Sequence, residues 1–485
     1  MSSARRILGP FNRVEGDLEV QVEIVDGQVA AAWVNSPLYR GFEQMLVGKD
    51  PRDALVITPR ICGICSVSQS VAAARALAKA QGVDYTHNGR LATNLVLACE
   101  NMADHLSHFY LFFMPDFARQ RYAAKAWYAA IGERFAAQTG SASRDMLPAR
   151  AQLLHTTGIL AGKWPHSMAL QPGGTTRAIE PRERLKLQAI LTGFRRFLER
   201  TLFADELEAV AALSSDDDLR AWAQAHHGSD FGRFLMLADD LQLQSLGRAT
   251  DRFLSYGAYP TAEGDQRPVF RSGLWSNTRK ALDPDRITED ISHSWMHAQR
   301  EPRHPYEGST LPDADAPDGY SWCKAPRYAG EVVEVGALAR QVVDGHPLVQ
   351  SLVGASGGNV RNRVVARLLE LARVVPVMEQ WVQAIALGEP FCNHGALPEE
   401  ARGMGLVEAA RGSLGHWVRI RHGRILNYQI VAPTTWNFSP RDHLGTPGVL
   451  EQALFETEVG ADDADSLAIQ HIVRSFDPCM VCTVH

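Results

Sequence analysis

Long apolar runs are missing from this chain. No stretch of its 485 residues approaches about eighteen uninterrupted apolar positions, so no membrane-spanning helix is predicted. A basic excess is missing too. Lys plus Arg is 49 against 55 for Asp plus Glu, a net charge of −6 with no long basic run, which argues against nucleic acid as a partner. Arg5 and Arg6 are not followed by an apolar leader core, so a soluble, cytoplasmic protein without its own export signal is expected. Cysteine is scarce, seven residues and odd in number, which does not suit a disulfide framework. Internal repeats and low-complexity linkers are also lacking, and core volume is not limiting at this length. One compact, mainly helical α+β unit over 1–485 is expected, with a β-rich part at 1–60, mainly helical parts at 61–255 and 358–475, and a buried tail at 476–485.

Leu18, Val20, Val22 and Ile24 alternate with polar residues, Asp26-Gly27 supplies a hairpin turn, and Val29 to Val34 returns as a second strand. From Ser66 to Gly82 the chain is rich in Ala, Gln and Ser without Pro, which predicts a helix with Cys65 at its entrance. Leu91, Leu95, Ala98, Met102, Leu106, Phe109 and Phe113 recur at three- and four-residue spacing, predicting a long helix with a buried face. Asp104 and His108 share another face of it. Helices are further expected at 182–213, 216–227, 358–387, bent near Pro376, and 449–475, whereas 256–350 reads as irregular. Trp417 to Val431 reads as a strand pair around His422-Gly423.

Four of the cysteines form two pairs, Cys62-Gly63-Ile64-Cys65 and Cys479-Met480-Val481-Cys482. A Cys-x-x-Cys places two sulfurs on one side of a turn, and four thiolates make a soft site for zinc, iron or nickel. Compact zinc modules keep their pairs about 15–20 residues apart. Here 479 − 65 = 414 positions separate them, which excludes a small zinc knuckle but not a long-range zinc clamp. Free termini fray, so ligands this near the end of the sequence imply a tail drawn into the interior. Cys99, Cys323 and Cys392 lack partners and read as small buried apolar residues.

Taken in order, the motifs resemble the nickel-iron hydrogenase large subunits. They are Arg13-Val14-Glu15-Gly16, Tyr39-Arg40-Gly41-Phe42-Glu43, Arg60-Ile61-Cys62-Gly63-Ile64-Cys65, Gly162-Lys163-Trp164-Pro165-His166, Lys324-Ala325-Pro326-Arg327-Tyr328, Glu408-Ala409-Ala410-Arg411-Gly412, Pro433-Thr434-Thr435-Trp436-Asn437 and Asp477-Pro478-Cys479. The resemblance implies that family's fold, a central bundle of long helices with small peripheral β-sheets. It implies that Cys62 and Cys479 are terminal thiolates on nickel, while Cys65 and Cys482 bridge nickel to an iron carrying carbon monoxide and cyanide. A magnesium ion held by Glu43, His485, waters and the carbonyl of Ile430 is implied as well, hard oxygen ligands suiting that ion. Cys479 and Glu15 become the proton acceptor and relay, since a secluded carboxyl can have its pKa raised. Arg411 is implied over the open coordination face, held by Asp104 and Asp477. The segment Ala432-Pro433-Thr434 lines the cofactor, with Thr434 donating to a cyanide. His108 and His166 read more simply as core residues.

Departures from the usual motifs resemble the regulatory, hydrogen-sensing branch. Gln69 replaces a usual His, and Ile64 with Phe112, at gas-channel positions, is bulkier than the usual pair. Ala410 and Ala337 replace usual prolines. That branch implies slow, oxygen-tolerant turnover, pairing of two heterodimers, and a sensor histidine kinase that controls hydrogenase genes. With no ferredoxin-like cysteine spacing here, an iron-sulfur small subunit is implied as the carrier of electrons from dihydrogen. A membrane-associated uptake enzyme is the enzymatic alternative. A zinc-clamped non-catalytic scaffold, or an electron-transfer scaffold related to a respiratory-complex subunit, is the alternative of another class.

Overall fold

The computed structural model describes residues 3–261, 267–460 and 466–483. The chain opens with an antiparallel sheet of Ser3–Leu8, Glu19–Val25 and Gln28–Asn35, paired in that order. The alternation puts Val20, Val22 and Val34 in the core. The turn between the last two strands places Asp26 at φ 50° and Gly27 at φ 83°, the left-handed pair whose twist matches a two-residue hairpin. Strand structure stops at Asn35, and 42–60 holds short helical turns including Phe42–Leu46, so the β-rich part is shorter than expected.

The helix Ser66–Gln81 starts with Cys65 at its N-cap and stops at Gly82, φ 66°. The next helix, His87–Ser107, begins where the Thr86 hydroxyl accepts the Gly89 amide at 3.0 Å, and continues into a π-helical segment, His108–Phe113. It is buried on nearly every side, packing against Ala142–Ala161 and Val360–Ala384. Together with Pro181–Phe197 these form the helical centre of the molecule. Most of the buried apolar side chains belong to one continuous cluster centred there.

A second sheet turns this bundle into a frame for a site. Ala401–Ala409, Gly412–Arg421 and Arg424–Val431 form an antiparallel meander that lies on Ser66–Gln81. The approach is backbone to backbone. A Cβ on Gly403 would fall 2.0 Å from the Ala76 carbonyl oxygen, and one on Gly405 would fall 1.9 Å from that of Ala72. Only glycines on the strand and small residues on the helix allow this spacing.

Three further sequence readings need correction. The helix expected at 182–213 runs as Pro181–Phe197 into a π-helical turn, Leu198–Leu202, and breaks before a separate helix, Leu207–Ala211. The helix expected at 449–475 is two helices, Val449–Leu454 and Leu467–Ser475. Between them Glu458 bridges to Gln28 of the first sheet, so tertiary pairing overrides helical continuity. The segment 256–350, expected to be irregular, carries helices Ala337–Asp344 and Pro347–Ser356 as well as short strands. A sequence-evident glycine or proline introduces each, Gly336 at an N-cap and Pro347 at a first helical position.

Candidate metal centre

The two cysteine pairs meet. Cys62 Sγ lies 3.5 Å from Cys479 Sγ, and Cys482 Sγ lies 3.1 Å from both Cys65 Sγ and Cys479 Sγ. All four sulfurs fall within 4.8 Å of one another, and no other such group of three or more His, Cys, Asp or Glu occurs among the described residues. The spacings exceed the disulfide length of about 2.05 Å, and all four thiols are free and buried. Burial pushes the Cys479 and Cys482 thiols up. Four thiolates at this distance need cationic charge between them, and two sulfurs at about 2.3 Å from one ion lie at most about 4.6 Å apart. The donor set therefore fits one or two soft metal ions.

The tail that brings the second pair is tied in by backbone. Glu15 pairs in parallel with Cys479: the Met480 amide donates to the Glu15 carbonyl at 2.6 Å, and the Glu15 amide to the Pro478 carbonyl at 3.4 Å. Gly16 is at φ 82°, and a Cβ there would stand 3.0 Å from the Val481 amide nitrogen, so the turn and the close approach both select glycine. Thr483 shares a 2.6 Å hydrogen bond with the Ser36 hydroxyl, and its carbonyl accepts from Thr435 at 3.2 Å. Arg40, whose role the sequence did not reveal, spans the two pairs by donating to the carbonyls of Ile61, at 2.5 Å, and Val481.

Arg411 stands at the turn joining Ala401–Ala409 to Gly412–Arg421. Its guanidinium lies 3.0 Å from Asp104 and 3.1 Å from Asp477, and its Nε donates to the Asp477 carbonyl at 2.8 Å. All three residues are buried. Burial pushes the Asp104 carboxyl up to about 8 although Arg411 opposes it. Burial also acts to raise Asp477, but the permanent charges of Arg411 and Arg367 help to hold that carboxyl below its usual range. The Thr434 hydroxyl accepts the Cys479 amide at 3.1 Å, leaving its own proton to donate elsewhere. Thr434 and Pro433 open the helix Pro433–Asn437, with Ala432 at the N-cap.

Glu15 is half-buried. Burial raises its pKa and Cys62 adds to the rise, while Arg411 and Arg40 lower it. Glu100 is a participant that sequence reasoning missed. Its buried carboxylate accepts the Val67 and Ser68 amides at 2.8 and 2.9 Å, capping the helix that starts beside Cys65, and the Trp164 indole NH at 3.1 Å. Burial pushes it up to about 7. No motif spacing links residue 100 to 67, so only the fold reveals it.

Gln69, one turn after Cys65, is buried. Its Oε1 lies 2.7 Å from His416 Nε2, so His416 carries its proton there and its Nδ1 accepts from the Tyr428 hydroxyl at 2.8 Å. Gln69 Nε2 has no protein partner. Ile64, between the first two cysteines, and Phe112, in the π-helical segment, are both half-buried. Glu43 is buried and accepts the Ile430 amide at 2.7 Å and the Thr310 hydroxyl. Beside it Lys324 Nζ lies 3.0 Å from Glu289 and 2.9 Å from Gln429 Oε1, a cluster the motifs did not disclose. Burial pushes Glu43 up to about 7 although Lys324 opposes it. His485, the third expected member of this group, lies outside the described residues. His108 donates to or accepts from nothing at the cysteines; its Nε2 bonds the Arg474 carbonyl at 2.7 Å. His166 Nδ1 meets the Pro59 carbonyl at 2.8 Å. Of the remaining cysteines, Cys99 and Cys323 are buried as expected, but Cys392 is half-exposed because its loop lies at the surface.

Comparison with known proteins agrees with this geometry. The family model described as nickel-dependent hydrogenase matches residues 40–144 and 144–485. The periplasmic [NiFeSe] hydrogenase large subunit of Desulfomicrobium baculatum is 29% identical over 99% of this chain and 94% of its own length. The uptake hydrogenase large subunit of Azotobacter chroococcum mcd 1 is 28% identical over 100% and 96%. The reduced Ni-Fe-Se hydrogenase from D. vulgaris Hildenborough superposes with a TM-score of 0.85 at 28% identity, covering 100% of both chains. These relatives are periplasmic and uptake enzymes, so the expected likeness to the regulatory branch finds no support among them. No helix among the described residues is long and apolar enough to cross a membrane. With the four cysteines, the mainly helical α+β fold and the matched family in agreement, the chain belongs to the nickel-dependent hydrogenases, as a large subunit.

Proposed function

We propose that the chain oxidises dihydrogen to protons and electrons as the large subunit of a hydrogen-oxidising enzyme of the uptake type. The observation that carries this reading is the convergence of Cys62, Cys65, Cys479 and Cys482 in one buried cluster beside the clamped guanidinium of Arg411. Cys62 and Cys479 would hold nickel, and Cys65 and Cys482 would hold nickel and iron together. Bound there, the pair, with carbon monoxide and cyanide on iron, supplies the electrophile at which dihydrogen is split heterolytically.

Cys479 Sγ takes a released proton and the Glu15 carboxylate passes it outwards. The half-buried position of Glu15 and its backbone pairing with Cys479 support that role. Arg411, fixed by two carboxylates, presents a permanent charge that orients substrate and the polar ligands on iron. Thr434, whose hydroxyl accepts from the Cys479 amide and keeps its own proton, would donate to a cyanide on the iron. Magnesium would be held by Glu43, the Ile430 carbonyl and His485, next to Lys324. Electrons leave through a small subunit carrying iron-sulfur clusters, because Cys99, Cys323 and Cys392 supply no cluster spacing.

A second reading, a cytoplasmic sensor with slow turnover, a second heterodimer and a histidine kinase, rests on Gln69. Its unpartnered Nε2, one helical turn from Cys65, replaces a titratable ring with a fixed donor. Ile64 and Phe112 would narrow gas access in the same reading.

Infrared spectra of the heterodimer, in the region of metal-bound carbon monoxide and cyanide, test the shared core. Bands that shift with dihydrogen are expected, and their absence from metal-containing protein would return the cysteines to zinc. Glu15→Gln should keep those bands while suppressing hydrogen-deuterium exchange by at least about tenfold; undiminished exchange removes Glu15 from the proton route. Fast dye reduction that is lost in air is expected for the uptake reading, whereas slow, air-stable reduction selects the sensor.

A further inference from the structure

Between the second half of the Ser66–Gln81 helix and the start of His87–Ser107 lies a cavity of about 140 Å³ lined by Arg75, Asp84, Tyr85, Arg90, Thr93, Asn94 and Pro260. Two guanidinium groups line this small space, and among the described residues neither forms an ion pair with a carboxylate. Arg75 donates to the Leu406 carbonyl at 2.8 Å. Arg90 donates to the carbonyls of Thr261 and Tyr85, at 3.2 and 3.4 Å. Asp84 lines the cavity but is exposed.

Three buried polar atoms of the lining residues have no hydrogen-bond partner: Arg90 Nε, the Tyr85 hydroxyl and Asn94 Oδ1. Such atoms cost free energy unless a ligand or water satisfies them. Their chemistry is specific. Arg90 Nε can only donate, Asn94 Oδ1 can only accept, and the Tyr85 hydroxyl can do either. Burial pushes the Arg75 guanidinium below its ordinary pKa, and the Arg90 charge acts in the same direction. Two like charges, neither ion-paired with the exposed Asp84 at the cavity's edge, are a recognition pattern for an anion.

We infer that this cavity binds a small protonated oxyanion of the hydrogen-phosphate class. Its charged oxygens meet Arg75 and Arg90, and its hydroxyl donates to Asn94 Oδ1. The site is separate from the metal centre and does not depend on the reading of hydrogen chemistry. Its occupancy ties the second half of the Ser66–Gln81 helix, through Arg75, to the start of His87–Ser107, the helix that carries Asp104.

Calorimetric titration of inorganic phosphate into the heterodimeric holoenzyme, at ionic strength held constant with chloride, tests the inference. Saturable binding of one phosphate per heterodimer is expected. Arg90→Gln should weaken it at least about tenfold, through loss of charge-assisted hydrogen bonds, and Tyr85→Phe a few-fold. Both variants should keep the infrared bands of the holoenzyme. Sulfate, which carries no proton at neutral pH, should bind at least about tenfold more weakly than phosphate because Asn94 Oδ1 would remain unpaired. No saturable phosphate binding, binding that survives both substitutions, or sulfate binding as tight as phosphate would each overturn the proposal; the first outcome would mean the cavity holds water.

Discussion

His108 and His416 show how burial at single residues sets the response of the whole protein to acid. Each ring is buried, and burial pushes each pKa down to about 3 from an ordinary value near 6.5. In the unfolded chain both rings protonate as pH falls through about 6.5, whereas in the folded protein they stay neutral down to about 3. The stability each contributes is complete above the unfolded pKa and is lost as pH falls below it, by up to about 1.4 kcal/mol per unit per ring. His108→Gln retains a donor for the Arg474 carbonyl and removes the titration. Urea midpoints at pH 7, 6 and 5 should therefore fall less steeply in the variant, by about one proton; equal slopes would place the acid sensitivity elsewhere. At this scale the two Cys-x-x-Cys pairs disclosed the four sulfurs that the structure brings together, whereas Glu15 and Arg411 with its two aspartates were singled out only by resemblance to the family's motifs. The sequence did not disclose Arg40, Glu100 or the lysine among Glu43, Glu289 and Gln429. Their meaning lies in partners tens to hundreds of positions away, and an ordinary charged residue carries no mark of such a partner.

Among the elements, the seam between Ser66–Gln81 and Ala401–Ala409 governs the site. The helix presents Cys65 at its start and the strand leads directly into Arg411, so their spacing sets the distance between sulfur and guanidinium. Gly405→Ala would place a Cβ 1.9 Å from the Ala72 carbonyl oxygen, and backbone must move to relieve it. Overpacking of this kind costs typically about 1–3 kcal/mol. A lower thermal midpoint together with displaced cyanide bands is expected, and a lower midpoint with unmoved bands would show that the seam supports stability alone. Elements with strong local signals were legible in the sequence. Asp26-Gly27 and His422-Gly423 made hairpin turns, both pairs with positive φ, and the alanine-rich run from Ser66 made a helix. The strand Ala401–Ala409 was missed because the glycines that create the seam, Gly403 and Gly405, remove the alternation that identifies a strand.

Across the whole molecule, the metal centre closes the chain on itself. The stretch between Cys65 and Cys479 covers 479 − 65 = 414 positions, and a permanent link across it would restrict the unfolded chain by about 6 kcal/mol on chain-entropy grounds. Stripping the metals, or Cys479→Ser, should lower the thermal midpoint and speed amide exchange over 476–483. A tail that stays protected without metal would mean that Ser36, Thr435 and the Glu15 pairing suffice to hold it. The pairing of Glu15 with Cys479 is parallel, between a segment near one end of the chain and a segment near the other. If the two ends were pulled apart, that contact would be loaded in shear, and the thiolate-metal bonds behind it would bear the tension. At roughly 3.4 Å per residue, the 414 positions they enclose amount to a hidden contour length of roughly 1,400 Å, which stays slack until those bonds rupture.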